Sequence, residues 1–378
     1  MAELAPVARR VPLITLSLAL FWLFLLFVLL AWAIARFWLR GADLSAFDQP
    51  PGTNMSRPGP PSAEHHAVVD SLGRAKLLLV GVPRRRHVAV LRDYLDNLFP
   101  HEGLNATFTP VDAGGVPAEW VRAPDADSAR RLLYIHGGAF MMGSPKSHRR
   151  ITSKLSEVAG AAVLAIDYRL MPEHPRTAGI EDCRTAYRWM LGQGPDGPGP
   201  AAAVLVAGDS AGGNLALSLI AWVRDSGLRA PDAALALSPF TDSTLGSRSL
   251  KANVRTDPML GPLFGLLAKI PRTLLLWAAW LQTRINPRDP RVSPVYGDLS
   301  GLPPVLVHAS EAEMLRDDAR RYVNRAAAAG SPVALQTWNH MVHVWQIFHP
   351  DLPEGREAFE EIRRFFAQTC PRPEERSK

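Results

Sequence analysis

Ser210 lies in a Gly-Asp-Ser-Ala-Gly pattern at residues 208–212, between an apolar run of strand character and a run of helical character. A serine in a sharp turn between a strand and a helix presents its hydroxyl as a nucleophile. The small neighbours suit a turn that is too crowded for larger side chains. The free N–H groups at the start of the following helix favour an anion beside the serine. The pattern therefore predicts nucleophilic chemistry at Ser210.

A second glycine-rich turn, His-Gly-Gly-Ala-Phe at residues 136–140, follows the apolar run 131–135. In acyl transfer the attacked carbonyl becomes a tetrahedral oxyanion, which preorganised backbone N–H groups stabilise. Glycines allow the backbone to come close to that oxygen. Together with the N–H of Ala211, the turn has the composition of an oxyanion hole.

The nucleophile requires a general base, and two histidines stand where one is expected. In triads built on this turn the chain order is serine, acid, histidine. His340 and His343 follow the last predicted strand and precede a helical stretch. We predict that His343 is the base and keep His340 as the alternative.

The acid is expected just after the penultimate strand, between Ser210 and His343 in the chain. Four carboxylates stand there. Glu311 and Glu313 fall in the predicted loop. Asp317 and Asp318 fall in the helix that follows, where capping or solvating the start of that helix is the alternative role.

Strand and helix patterns alternate along the chain from residue 106 onwards. Helical patterns cover residues 147–159, 179–191 and 215–223. Alternation at this spacing predicts an α/β fold with a mostly parallel sheet and helices on both faces. The strands are predicted at residues 106–111, 118–123, 131–135, 161–168, 204–208, 233–238, 305–309 and 333–337.

Residues 11–35 form an uncharged, strongly apolar run with arginines on both sides and tryptophans near its C-terminal end. At about 1.5 Å per residue the run is long enough to cross the roughly 30 Å hydrocarbon core of a bilayer. We predict a retained, single-pass anchor in residues 1–40. Arg9 and Arg10 on the inner side would place the catalytic bulk on the extracytoplasmic or lumenal side.

A cleaved signal peptide is the alternative, because Ala31-Trp32-Ala33 resembles a small-x-small cleavage site. Against it, the apolar run is longer than the h-region of about 7–15 residues that signal peptides carry. The Pro/Gly-rich residues 41–61 are predicted to be a linker that holds the domain off the bilayer. Residues 371–378 form a charged tail.

The formal charge is +6 and the sequence pI is about 9.6, but the arginines are scattered. This distribution does not indicate a nucleic-acid partner. Two cysteines, Cys183 and Cys370, make neither a disulfide framework nor a zinc site. No metal or organic cofactor is implied.

With these motifs the sequence resembles the hormone-sensitive-lipase-like family of α/β-hydrolases, from about residue 62 to the last helix. The oxyanion-loop motif, the Gly-Asp-Ser-Ala-Gly motif, Asp257-Pro258 and residues 167–175, 238–242 and 289–294 are the shared landmarks. The resemblance implies an α/β-hydrolase domain over residues 62–370. It also implies a site, with Ser210 as nucleophile, Glu313 as acid, His343 as base, and N–H donors at Gly138, Ala139 and Ala211.

Two departures from the family pattern concern the site. Ala139 stands where the third glycine of the oxyanion loop is expected, and its methyl group is tolerable if φ is negative. Glu313 stands where aspartate is commoner, and it can still orient an imidazole through a longer arm. Glu313 precedes Leu-Arg-Asp, as the family's acid precedes Leu-x-Asp.

The resemblance also implies a helical cap over the carboxyl ends of the strands, built from residues 62–98 and 257–284. Residues 259–285 are unusually apolar, but Lys269, Pro271 and Arg272 interrupt them, which argues against a second membrane span. Two interpretations remain for this run: an ordinary buried pair of cap helices, or an apolar lip that docks on the bilayer and admits lipid substrates.

The predicted function is hydrolysis of carboxylic esters through an acyl-enzyme, with apolar acyl or aryl groups expected on the small-molecule or lipid substrate. One alternative is amide, lactone or polar-lipid deacylation on the same triad. Another is a ligand-binding relative that has lost catalysis, and a missing triad member would be its usual sign.

Overall fold

A computed structural model describes residues 13–100 and 102–372. Arg9, Arg10, the first two residues of the apolar run and residues 373–378 of the predicted tail lie outside the described residues.

A nine-stranded sheet forms the centre of the described chain, in the order β1-β11-β10-β9-β8-β4-β5-β3-β2. Within this sheet β3 alone runs opposite to the other eight strands. The predicted mostly parallel sheet is therefore confirmed, and β6 and β7 form a separate two-residue hairpin. The strands are β1 (Thr53–Asn54), β2 (Thr107–Asp112), β3 (Pro117–Arg122), β4 (Asp127–Ile135), β5 (Ala161–Ile166), β6 (Gln193–Gly194), β7 (Gly197–Pro198), β8 (Ala203–Asp209), β9 (Ala233–Leu237), β10 (Val305–Ser310) and β11 (Val333–Trp338).

Helices cover both faces of the sheet, and each face has its own apolar core. Helices α5, α6 and α10 pack on one face, and α2, α4 and α11 pack on the other. The helices are α1 (Leu13–Ile34), α2 (Ala63–Ala75), α3 (His87–Asp96), α4 (Arg149–Ala159), α5 (Arg176–Gly192), α6 (Ser210–Asp225), α7 (Ser249–Ala252), α8 (Leu260–Phe264), α9 (Arg272–Thr283), α10 (Arg316–Ala328) and α11 (Pro353–Thr369).

The segment expected to be a free linker, residues 41–61, instead packs against the domain. Leu44 is buried, and Asp48 forms an ion pair with Arg321 of α10 at 2.6 Å. Strand β1 lies within this segment and pairs with β11 at the edge of the sheet. These contacts satisfy backbone groups that a tether would leave to water. The linker prediction is wrong in this respect.

The apolar run 259–285 forms two short helices, α8 and α9, separated by a turn that contains Lys269. Leu276 and Ile285 are buried, whereas Leu266 and Leu274 are exposed. An ordinary buried pair of cap helices would bury these leucines. The buried-pair interpretation therefore does not describe this run. The other proposed cap piece contributes α2 and α3.

Candidate active site

Ser210 occupies the tight turn between β8 and α6. Its φ of 52° lies in the left-handed region, which a non-glycine residue adopts only when its surroundings enforce it. Those surroundings leave no room: a Cβ on Gly212 would come within 2.0 Å of the Ile135 carbonyl oxygen. The small residues of the Gly-Asp-Ser-Ala-Gly pattern thus allow α6 to pack closely on β4, and this packing holds the serine in its strained conformation.

Three side chains from different strand ends form one continuous hydrogen-bonded row. His343, in the loop after β11, places Nε2 2.8 Å from Ser210 Oγ. Its Nδ1 lies 2.7 Å from Oε2 of Glu313, in the turn after β10. Because the carboxyl ends of parallel strands meet at one edge of the sheet, residues far apart in the chain converge here.

His343 is fully inside the protein, and two opposing effects act on its pKa. Burial lowers the pKa, but the hydrogen bond and charge of Glu313 more than offset it, so the pKa is raised above the ordinary 6.5. Asp257 and Asp209 add to the rise. The second oxygen of Glu313 accepts the Ser310 N–H at 2.8 Å. The arrangement stabilises an imidazolium next to the serine.

The other three candidate acids have partners elsewhere. Glu311 pairs with Arg320. Asp317 accepts the Ser249 N–H at 2.8 Å, and Asp318 accepts the Thr241 N–H at 2.9 Å. Among the four carboxylates, Glu313 alone contacts an imidazole.

The remaining histidines of the region are poorly placed to act as the base. His340 is exposed. His308 bonds Gln336, and burial lowers its pKa to about 3. His136 precedes the oxyanion loop, and burial followed by the His148 charge lowers its pKa to about 3 as well.

The glycine-rich loop after β4 lies against the turn that carries Ser210, and the Gly137 N–H donates to the Asp209 carboxylate at 2.9 Å. Gly138 has a φ of 113°, and a Cβ there would lie 2.2 Å from the Met142 carbonyl oxygen. Among the described residues, no hydrogen bond uses the N–H of Gly138 or Ala139. Within the described residues, these two N–H groups therefore have no backbone acceptor, as the predicted oxyanion hole requires.

Ala139 departs from the conformation expected for it. Its φ is 55°, not negative, and Phe140 follows with a φ of 63°. The alanine therefore occupies the glycine conformation itself, with its methyl group present. Left-handed alanine is strained by roughly 1–3 kcal/mol, so the neighbouring contacts must hold the loop in place.

Asp209 provides those contacts, which the sequence analysis did not anticipate. Its Oδ1 accepts the Gly137 N–H at 2.9 Å and the Tyr134 hydroxyl at 2.6 Å. Its Oδ2 lies 3.4 Å from His148 Nε2. Burial raises the pKa of Asp209, but His148 lowers it overall, so the carboxylate is charged. The residue before the nucleophile thereby fixes the loop that faces the nucleophile.

Asp257 and Asn253 hold the turn that carries Glu313 from the side of the proposed cap. Asp257 Oδ2 accepts the Met314 N–H at 2.9 Å, and Asp257 Oδ1 accepts the Leu260 N–H at the start of α8. Asn253 donates to the Glu313 carbonyl oxygen at 2.9 Å. Asp257-Pro258 was recognised as a landmark, but its partners lie too far along the chain for spacing to reveal them.

The described residues contain no cluster of three or more histidine, cysteine or acidic side chains that could hold a metal ion. Cys183 and Cys370 are both buried and free.

Known proteins resemble this chain in sequence and in fold. A family described as the α/β-hydrolase fold matches residues 132–347. The chain is 42% identical over 250 residues to an acetyl-hydrolase of Streptomyces hygroscopicus, covering 66% of this chain and 79% of the relative. It is 34% identical over 275 residues to the carboxylesterase/phospholipase LipF of Mycobacterium tuberculosis strain H37Rv, covering 70% and 69% respectively.

Solved structures of similar sequence also share the fold of this chain. An esterase from the bacterial hormone-sensitive lipase family superposes with a TM-score of 0.70 at 35% identity, covering 82% of this chain and 99% of the other. The esterase EstE5 superposes equally well, with a TM-score of 0.70 at 34% identity and the same coverage of both chains.

Proposed function

We propose that this carboxylic ester hydrolase, which belongs to the hormone-sensitive-lipase-like family of α/β-hydrolases, cleaves its substrate through an acyl-enzyme on Ser210. One observation carries the proposal: the unbroken row from Ser210 Oγ through His343 to Glu313, with spacings of 2.8 and 2.7 Å. These are the separations at which a base takes a proton from a nucleophile and an acid orients that base.

In the proposed reaction Ser210 Oγ attacks the ester carbonyl carbon while its proton passes to His343 Nε2. Glu313 stabilises the resulting imidazolium, and the N–H groups of Gly138, Ala139 and Ala211 bind the oxyanion. Collapse of the tetrahedral intermediate breaks the bond to the alcohol oxygen, which takes the proton from His343. A water molecule, deprotonated by His343, then hydrolyses the acyl-enzyme and restores the serine.

We propose esters with apolar acyl or aryl groups as substrates. Phe240 donates its N–H to the Ser210 carbonyl oxygen, and its ring lies 6.3 Å from that of Phe140 in the oxyanion loop. Aromatic residues bonded to the Ser210 turn and within the oxyanion loop favour apolar groups on the substrate. The relatives named acetyl-hydrolase and carboxylesterase/phospholipase support an acetyl ester or a phospholipid ester as candidate substrates.

We further propose that α1 is a retained single-pass anchor, with the catalytic domain on the extracytoplasmic or lumenal side. The candidate span Leu16–Leu39 has a mean hydropathy of 2.7 and is almost unburied, which suits lipid and not a protein core. Its C-terminal end packs against α9, where Trp277 Nε1 donates to the Ala31 carbonyl oxygen at 3.1 Å. Cleavage near residue 33 would remove that acceptor, so this contact favours retention.

Labelling with a fluorophosphonate tests the chemistry. We expect full-length protein in detergent to be labelled at Ser210, and Ser210→Ala to lose labelling and several orders of magnitude of esterase rate. A series of aryl esters of increasing acyl length, with matching amides and lactones, then defines the substrate class. Wild-type protein that neither reacts with the probe nor hydrolyses any aryl ester would support the ligand-binding alternative.

A further inference from the structure

The exposed apolar side chains are concentrated in a few places. Among the described residues, every large apolar side chain that is exposed belongs to α1 and its C-terminal end, to residues 78–80 or to residues 263–281. The sheet and the helices that cover it expose none. Single apolar side chains scattered over a surface need no explanation, but a contiguous patch of exposed apolar side chains marks an interaction surface. Residues 263–281 contribute Leu263, Leu266, Leu267, Leu274 and Leu281.

Helix α9 packs directly against the C-terminal end of α1. Leu276 of α9 is buried with Ala35 and Leu39, which continue α1. Trp38 and Trp280 meet edge to face at 6.3 Å. Tryptophans at the end of a membrane helix mark the level of the lipid headgroups. Because α9 shares this aromatic cluster, it lies at the same level as the end of the anchor.

The exposed side of α9 is apolar. Leu274 and Leu281 are seven residues apart, so they lie on one face of the helix. Their exposed fractions are 59% and 52%, whereas Leu276, turned towards α1, is 2% exposed. The helix thus uses one face to bind the anchor and leaves a second apolar face uncovered.

The segment that carries this face contains only basic charged residues. Residues 259–288 contain Lys269, Arg272, Arg284 and Arg288 and no acidic residue. Arg284 lies over the Trp280 ring at 5.3 Å, whereas the Arg272 guanidinium is turned inwards and donates to the Arg40 and Thr244 carbonyl oxygens. Basic residues beside an apolar helix face complement an anionic lipid surface. A second copy of the same face would bring like charges together, which opposes dimerisation through it.

We infer that α9 is an interfacial helix that docks on an anionic phospholipid bilayer and inserts Leu274 and Leu281 beneath the headgroups. The inference rests on the proposed anchoring by α1 and adds a second, lateral contact with the membrane. Two contacts would hold the catalytic domain in a fixed orientation on the bilayer.

Single cysteines on the full-length protein test the inference. Leu274→Cys and Leu281→Cys place an environment-sensitive fluorophore on the exposed face, Leu23→Cys places it in α1, and Glu360→Cys places it on α11 as the solvent control. Cys183 and Cys370 are buried and free, so labelling of the parent protein supplies the background. The proteins are reconstituted in phosphatidylcholine–phosphatidylglycerol vesicles that contain a lipid with a nitroxide near its headgroup.

We expect the nitroxide to quench the probes at residues 274 and 281 at least about threefold more strongly than the probe at residue 360. Omitting phosphatidylglycerol should weaken that quenching about twofold without changing the signal at residue 23.

Equal quenching at 274, 281 and 360, with strong quenching at 23, would overturn the docking proposal and leave the anchor intact. Absence of quenching at 23 as well would overturn the anchor and, with it, this inference. A disulfide dimer through residue 274, without quenching by lipid, would assign the face to a second copy and also overturn the proposal.

Discussion

At the scale of single residues, the four carboxylates that follow β10 contact different kinds of groups, and these contacts distinguish their roles. Glu313 meets the imidazole of His343, whereas Glu311 meets a guanidinium. Asp317 and Asp318 accept backbone N–H groups of a neighbouring segment. A carboxylate that only accepts structural hydrogen bonds can be replaced by an amide with partial loss, because the amide oxygen still accepts. A carboxylate that must stabilise an imidazolium cannot.

Glu313→Gln should therefore lower kcat on a short aryl ester sharply while leaving the melting temperature near that of the wild type. The amide nitrogen can donate to the imidazole and stabilise the wrong tautomer, and the comparable change in a serine protease triad costs about 10⁴ in kcat. Glu311→Gln and Asp318→Asn should cost much less. Asp317→Asn should cost about tenfold, since Asp317 braces the segment around Ser249.

The four variants are compared by kcat and by melting curves. If Glu313→Gln keeps more than about a tenth of the wild-type kcat while Asp317→Asn loses nearly all of it, Asp317 would be the acid and the proposed triad would be wrong.

At the scale of elements, the segment that leads into the proposed cap also holds the turn that carries Glu313. Asp257 accepts N–H groups from the start of α8 and from Met314, the residue after Glu313. The segment that leads to the cap helices is therefore tied to the turn that carries Glu313. A shift of α8 would be transmitted to the triad through one buried carboxylate.

Asp257→Asn should lower kcat about tenfold, since a small misplacement of a catalytic group costs up to about 100-fold. It should also move the acidic limb of kcat/KM to lower pH. His343 acts as base only when neutral, so the rate rises with pH through the His343 pKa. The negative charge of Asp257 raises that pKa, and its removal lets the imidazolium lose its proton at lower pH.

Thr256→Ala is the control for Asp257→Asn. It removes the hydrogen bond from Thr256 to the Ala312 carbonyl oxygen without changing a charge, so its acidic limb should stay in place. A pH profile for Asp257→Asn that coincides with that of the wild type would mean that Asp257 does not act on His343.

The sequence predicted the strands and turns, which depend on neighbouring residues, but it did not predict the pairings between distant segments. Each predicted strand has a counterpart in the sheet, because apolar runs and glycine-rich turns follow from neighbouring residues. The pairing of β1 with β11 and the bonds of Asp257 join segments far apart in the chain, and no local pattern encodes them. The left-handed Ala139 is a case in which the surrounding contacts override the preference of the residue.

At the scale of the whole molecule, a network of buried charges joins three parts of the chain. Asp318 and Arg321 belong to α10, and Arg321 pairs with Asp48 of the N-terminal segment. Arg272 of α9 donates to the Thr244 carbonyl oxygen, while the Thr244 hydroxyl donates to Asp242. The α/β domain, the segment after α1 and the proposed cap therefore meet around these groups. Their ionisation should influence the stability of the entire protein.

Asp318 provides the test of this coupling, because burial and the charge of Asp242 raise its pKa from 3.8 to about 7. A carboxyl with a raised folded-state pKa contributes no penalty below its unfolded pKa, and it destabilises the fold progressively as pH rises towards its folded pKa. Asn resembles the protonated acid and can still accept the Thr241 N–H. Asp318→Asn should thus gain stability relative to the wild type as pH rises from about 4 to 7, and this gain should stay constant above pH 7. The gain should reach a few kcal/mol, or several degrees in melting temperature.

Asp317 is the matched control, since Arg316 outweighs burial and lowers its pKa. Asp317→Asn should lose stability at neutral pH by an amount that stays nearly constant down to about pH 4, because with a lowered folded-state pKa the loss shrinks only below the unfolded pKa of 3.8. Melting temperatures of both variants and the wild type in one detergent, measured from pH 4 to 8, separate the two slopes. A constant difference for Asp318→Asn across this range would show that Asp318 titrates alike in the folded and unfolded chain, and that the charges at the junction of the three parts do not govern stability.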